Sequence, residues 1–175
     1  MDLDKLPPRG DGGAIHVVVE SPRGSTQKLK WLPAPGVFQA QRPLPLGFSY
    51  PYDWGFVPGT QAEDGDPVDA LVVWDASSWP GVVVPSRPIG LLQLEQNARR
   101  GDTSQRIRND RLLVVPVKDP RGAWVRSFED LPARSREEIA LFFTSAVFFE
   151  GKDPKILGWA GPDAGDALVE RWRKR

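Results

Sequence analysis

Proline and glycine punctuate this chain from end to end, and that spacing limits what it can fold into. Pro (18) and Gly (17) make up about a fifth of the 175 residues. Neither suits the interior of a long helix, and both favour tight turns. The segments between them are short and rich in β-branched and aromatic residues, the pattern of many short strands. "AIHVVVES" reads as a strand closed by the turn "SPRGS". "TQKLKWL" and "GVFQAQRPL" read as two more strands, and "PLGFSYPYDWGFVPGT" as an aromatic loop. "DALVVW" is a buried strand, "GVVVPSRPIGLLQL" one or two strands broken at Pro85 and Pro88, and "RLLVVPV" a further strand. Helical spacing comes late: Ile139, Phe142, Phe143, Ala146 and Val147 share one face. Ser135 and Glu138 form a capping box before them, and Gly151 is a plausible stop. A second helix is expected over "AGDALVERWRK". Strands followed by helices predict a β-rich α+β fold, a compact β-barrel with helices packed on it. With no repeat and no low-complexity linker, residues 1–175 read as one domain.

Composition narrows the chemistry. Lys plus Arg equals Asp plus Glu at 23 each, so bulk charge draws the chain to neither nucleic acid nor membrane. The absence of Cys excludes disulfides, thiolate metal sites and a thiol nucleophile, and the single His16 excludes a multi-His cage. A bound metal would need oxygen ligands, which selects Mg²⁺, Mn²⁺ or Ca²⁺. The start "MDLDKLPPRG" has no apolar core of a secretory signal, and no apolar run approaches a membrane span, so a cytoplasmic location is expected.

The chemistry concentrates in "EDGDPVD", which places Asp64, Asp66 and Asp69 at the mouth of the apolar strand "DALVVW". Asp64 and Asp66 are two apart, so in an extended chain they face one side. Three converging carboxylates repel one another unless a cation sits among them. On spacing alone, a divalent metal site and a plain acidic turn account equally well for the motif.

"DGDPVD" resembles the D-x-D-P-x-D signature of the soluble family I inorganic pyrophosphatases. Other segments fit in the same order. "VVVESPRGSTQK" is similar to the family's strand, glycine turn and substrate-binding lysine, and "FSYPYDWGFVPGT" to its aromatic loop. "VVVPSRPIGLLQL", "RLLVVPV" and "KILGW" match later segments, so the likeness runs from about Val17 to Trp159. The resemblance implies a five-stranded oligonucleotide-binding-type (OB-type) barrel with flanking helices, a homohexamer, and Mg²⁺-dependent hydrolysis of inorganic diphosphate, with Mn²⁺ as an alternative ion. It implies Asp64, Asp69 and Glu20 at metal, with Asn109 in a further ligand's place. It makes Asp66 the base and sets Tyr50 beside it as a catalytic residue, the hydrogen-bonding partner where Lys28 and Arg42 grip phosphate, with Trp54 and Arg111 as further substrate contacts. Taken singly, Glu20 also reads as a strand end, Lys28 and Arg42 as surface charges, and Tyr50 as core.

The match breaks at several chemical positions. Where the family carries a Glu two residues after the substrate lysine, this chain has Lys30. Trp54 keeps the ring of a family Tyr and loses its hydroxyl. The family's D-x-K becomes Asn109, Asp110 and Arg111, and an earlier Asp falls near Glu95 or Gln96. Between them "EQNARRGDTSQRIRND" reads as a long basic loop, with Asp102 and Asp110 as possible replacements for the missing ligand. Asp110 would need a bulge to reach the same face. A Tyr-Lys pair becomes Ala146 and Val147, with Lys152 or the loop arginines left to supply the lost charge. Three functions follow as expectations: a slow or altered diphosphate hydrolase, a non-catalytic homologue that binds a phosphate compound or a protein, and, against the balanced charge, a nucleic-acid binder through the basic loop.

Overall fold

The computed structural model describes residues 3–99 and 102–174. In chain order its strands are β1 (Ile15–Ser21), β2 (Gln27–Leu32), β3 (Val37–Pro43), β4 (Asp53–Phe56), β5 (Asp69–Val72), β6 (Val83–Arg99), β7 (Asp102–Arg108), β8 (Arg111–Pro116) and β9 (Lys155–Ala160). The helices are α1 (Ala133–Ser145) and α2 (Pro162–Arg171). β1 pairs with β4, β4 with β5, β5 with β8, β8 with β6, and β6 with β1 again, so five strands close a ring. Closure removes the free edges that a short sheet would expose. This is the five-stranded barrel with flanking helices that the sequence implies. β5 and β8 run parallel, whereas the other ring pairs are antiparallel.

Alternation along the strands separates the two larger of three buried clusters. Ala70 and Val72 of β5 and Leu112 and Val114 of β8 join Ile15, Val17 and Val19, with Val169 of α2 against them. Their sequence neighbours Leu71 and Leu113 face the other way, into a cluster with Ile139, Phe142 and Phe143 of α1. β2 and β3 form a separate hairpin outside the ring.

Five expectations are corrected. β6 is one 17-residue strand, unbroken at Pro85 and Pro88. It absorbs the prolines through a register shift between Pro88 and Gly90 in its pairing with β8. The expected aromatic loop contains β4, and much of the expected basic loop is the hairpin of β6 with β7. α1 starts at Ala133 after Pro132, with no side-chain cap, so Ser135 lies inside the helix. The capping box belongs instead to Ser127 and Asp130, on a 3-10 turn upstream. α1 ends at Ser145, and Gly151 closes a later 3-10 turn in a left-handed conformation.

Candidate active site

The hairpin supplies the first two cations. Lys28 of β2 lies directly opposite Arg42 of β3. Like charges facing one another across a strand pair are destabilising unless an anion lies between or beside them. Arg42 finds one in Glu150, whose Oε1 is 3.0 Å from its Nε. Lys30, further along β2, directs its Nζ to both oxygens of Asp66 at 2.8 Å.

The turn before β5 presents the aspartates. Gly65 takes φ +86°, a conformation that suits glycine, and lets the chain reverse. Asp64 accepts a hydrogen bond from the Asp66 amide at 3.1 Å, and Ala62 N donates to Asp66 O at 2.7 Å. These bonds fix the turn so that Asp64 and Asp66 reach the same cleft as Asp69, the first residue of β5. The parallel register aligns Ala70 with Leu112, which sets Asp69 beside Arg111, the first residue of β8. Arg111 Nη1 donates to the Asp69 carboxylate and, at 2.7 Å, to Asn109 Oδ1.

Around these groups lies a cleft of about 140 Å³. Lys28, Arg42, Arg111 and Lys152 line it, as do Asp64, Asp66, Asp69 and Glu150. Its wall is aromatic: the Arg111 guanidinium lies 5.3 Å from the Trp54 ring centre and 5.6 Å from that of Phe143. Tyr50 packs against Trp54 and, at 5.0 Å between ring centres, against Phe142. The structure therefore gathers Lys28, Arg42, Tyr50, Trp54, Asp64, Asp66, Asp69, Asn109 and Arg111 around one space. Glu20 is set in an adjoining pocket that shares Lys28, Asp66 and Asp69, and accepts a hydrogen bond from Trp31 N at 2.7 Å.

Of the replacements weighed for the missing ligand, Asp110 turns away: it accepts from Leu94 N and from Arg108 and lines a different pocket. Glu95 pairs with Arg106, whereas Gln96 is buried on the cleft wall. The Asp102 side chain lies outside the described residues. Ala146 and Val147 reach the cleft and bring no polar side-chain atom to it, and Lys152 does line it. Glu150, Phe142 and Phe143 are lining residues that sequence reasoning missed. No spacing signal links Glu150 to Arg42, which lies in another element far back in the chain.

Burial sets the electrostatics. It pushes the Glu20 carboxyl up to about 7, against the pull of the Trp31 amide, Lys28 and Lys30. Burial lowers the Lys28 ammonium, and the neighbouring Arg111, Lys30 and Arg42 lower it further. The Arg111 guanidinium comes down to about 10 and stays charged at neutral pH, held by the nearby Asp64. Its Nε is buried without a hydrogen-bond partner. Burial raises the Tyr50 phenol to about 12, so at neutral pH it is a hydrogen-bonding group and not a base.

The donor set does not fit a resident metal centre. Asp66 is committed to Lys30, and Asp69 and the Asn109 oxygen to Arg111. Among the described residues, no three His, Cys, Asp or Glu side chains converge closely enough to hold one ion.

Fold and cleft together define a β-barrel protein with a cleft in which four cations meet four carboxylates beside an aspartate turn. The sequence profile of the family described as inorganic pyrophosphatase matches residues 17–175, and the chain belongs to that family. It is 41% identical over 170 residues to an inorganic pyrophosphatase of Synechocystis, covering 97% of this chain and 96% of that protein. It is 35% identical to one from Geobacillus stearothermophilus, covering 89% of this chain and 90% of the relative. The crystal structure of the Thermus thermophilus inorganic pyrophosphatase superposes with a TM-score of 0.87 at 34% identity, covering 97% of this chain and 95% of the other. The family uses a divalent metal.

Proposed function

We propose that the chain hydrolyses inorganic diphosphate to two phosphates in this cleft, slowly, with Mg²⁺ entering as part of the substrate. The observation that carries the proposal is the opposed pair Lys28 and Arg42, standing with Arg111 over the turn of Asp64, Asp66 and Asp69. Glu150 already faces Arg42, and diphosphate supplies a further anion that both Lys28 and Arg42 can share. Mg²⁺ is commonly held by one or two carboxylates plus substrate phosphates, and Asp64 is the cleft aspartate with no side-chain ion pair among the described residues. Lys28 and Arg42 grip the phosphates, and Arg111, steadied on the Trp54 ring, faces the charge that grows as the bridging P–O bond breaks. Tyr50 donates from the cleft wall. Asp66 receives the proton of the attacking water once Lys30 releases it. Loss of a single charge-stabilising donor costs about 10²–10³ in rate, and Ala146, Val147 and Asn109 each stand where a donor or charge is expected. Such losses do not add simply.

The test is phosphate release from diphosphate with Mg²⁺ or Mn²⁺, alongside Asp66→Asn. The expected outcome is slow release that falls by about 10²-fold or more in the variant. Equal inactivity of the two proteins rejects hydrolysis. A second reading, a homologue that binds diphosphate without turning it over, is favoured by the Lys30–Asp66 pair, which occupies both oxygens of the base. Turnover rules it out, and binding without turnover supports it.

Family membership further supports a homohexamer working in the cytoplasm. Among the described residues no helix is long and apolar enough to cross a membrane. Sedimentation equilibrium is expected to return about six times the 19.4 kDa chain mass, and a monomer mass contradicts the assembly.

A further inference from the structure

The cation partners of the aspartates come from the chain itself. Lys30 lies 2.8 Å from both oxygens of Asp66, and Arg111 bridges Asp69 and Asn109. The Arg111 side chain is buried, its Nε has no partner, and it sits on the Trp54 and Phe143 rings. A metal ion that took Asp69 would leave this buried guanidinium without its carboxylate, a costly state. One that took Asp66 would have to displace the Lys30 ammonium. The repulsion among three aspartates, which elsewhere calls for a dication, is relieved here by two side-chain cations, the buried Arg111 and the half-buried Lys30, whose partner Asp66 is exposed. Four cations and four carboxylates already balance on the cleft wall, and the adjoining pocket adds Lys30 and Lys174 with Glu20.

We propose that Lys30 and Arg111 take the place of protein-bound metal, so that the cleft binds inorganic diphosphate as the metal-free anion. Binding then needs no divalent ion, and Mg²⁺ matters only for turnover. The inference rests on the reading of this cleft as a diphosphate site.

The experiment is calorimetric titration of the full chain with sodium diphosphate, in EDTA and then in Mg²⁺, with phosphate release measured on the same preparation. The expected dissociation constant in EDTA lies within about threefold of that in Mg²⁺. Binding only in Mg²⁺, or about tenfold tighter there, overturns the inference, and phosphate release in that case leaves the hydrolysis reading standing. Binding in EDTA with no release under any metal keeps the inference and removes hydrolysis. No binding in either condition overturns both.

Lys30→Glu supplies a second arm, since Lys30 is a half-buried strand residue and the fold is checked by circular dichroism. This variant is expected to lose about tenfold in affinity in EDTA and to recover it in Mg²⁺. Unchanged affinity in EDTA overturns the role of Lys30.

Discussion

At the scale of single residues, the sign of charge decides what this cleft holds. The aspartates of "EDGDPVD" and the cations Lys28 and Arg42 were legible because residue type and order carry them. Their true partners were not. Lys30 was legible as a departure from the family pattern, but its contact with Asp66 is made 36 residues away, across a turn that no local periodicity describes. The resemblance makes Arg111 a substrate contact, and only the parallel register of β5 and β8 shows it lying on Asp69.

Glu20 gives a residue-scale prediction. Its folded value of about 7 lies above its ordinary 4.5. Below about pH 4.5 both states are protonated and the folded chain keeps its full advantage. Between about 4.5 and 7 the unfolded chain ionises while the folded one holds its proton, so stability falls as pH rises, by about 3 kcal/mol. Glu20→Gln is expected to flatten that slope in urea unfolding across the same window. An unchanged slope shows that another group causes it.

At the scale of elements, the strands dictated by Pro and Gly were read well where a buried face imposed apolar residues, as in β1, β5 and β8. The β6–β7 ribbon was missed because it is polar and basic, with no apolar alternation to mark it. The start of α1 was misplaced because "SFED" and "SREE" both fit the capping pattern, and Pro132 fixes the helix between them. β4 is only four residues long, and Gly55 is the reason it can lie against β1. A Cβ there would stand 1.9 Å from the Val18 carbonyl oxygen. Gly55→Ala is expected to destabilise the chain by about 3 kcal/mol, read as a lowered urea midpoint. Loss of less than about 0.5 kcal/mol would mean that the strands can part at no cost.

At the scale of the whole molecule, the barrel and its family were legible because several ordered motifs agree over most of the chain, and the matched profile spans residues 17–175. What the motifs do not convey is the electrostatic state of the assembled cleft. Closing the ring brings β5 to β8 and the hairpin to the aspartate turn, and only then do two side-chain cations meet two carboxylates. The barrel is that of its relatives, and within its cleft Lys30 pairs with Asp66 and Arg111 with Asp69. The direct measurement is a crystal of the full chain soaked in Mn²⁺ without diphosphate and recorded at an anomalous wavelength. No manganese peak is expected among Asp64, Asp66 and Asp69, with Lys30 and Arg111 still on their carboxylates. A manganese ion bridging those aspartates, with both cations displaced, would contradict that expectation.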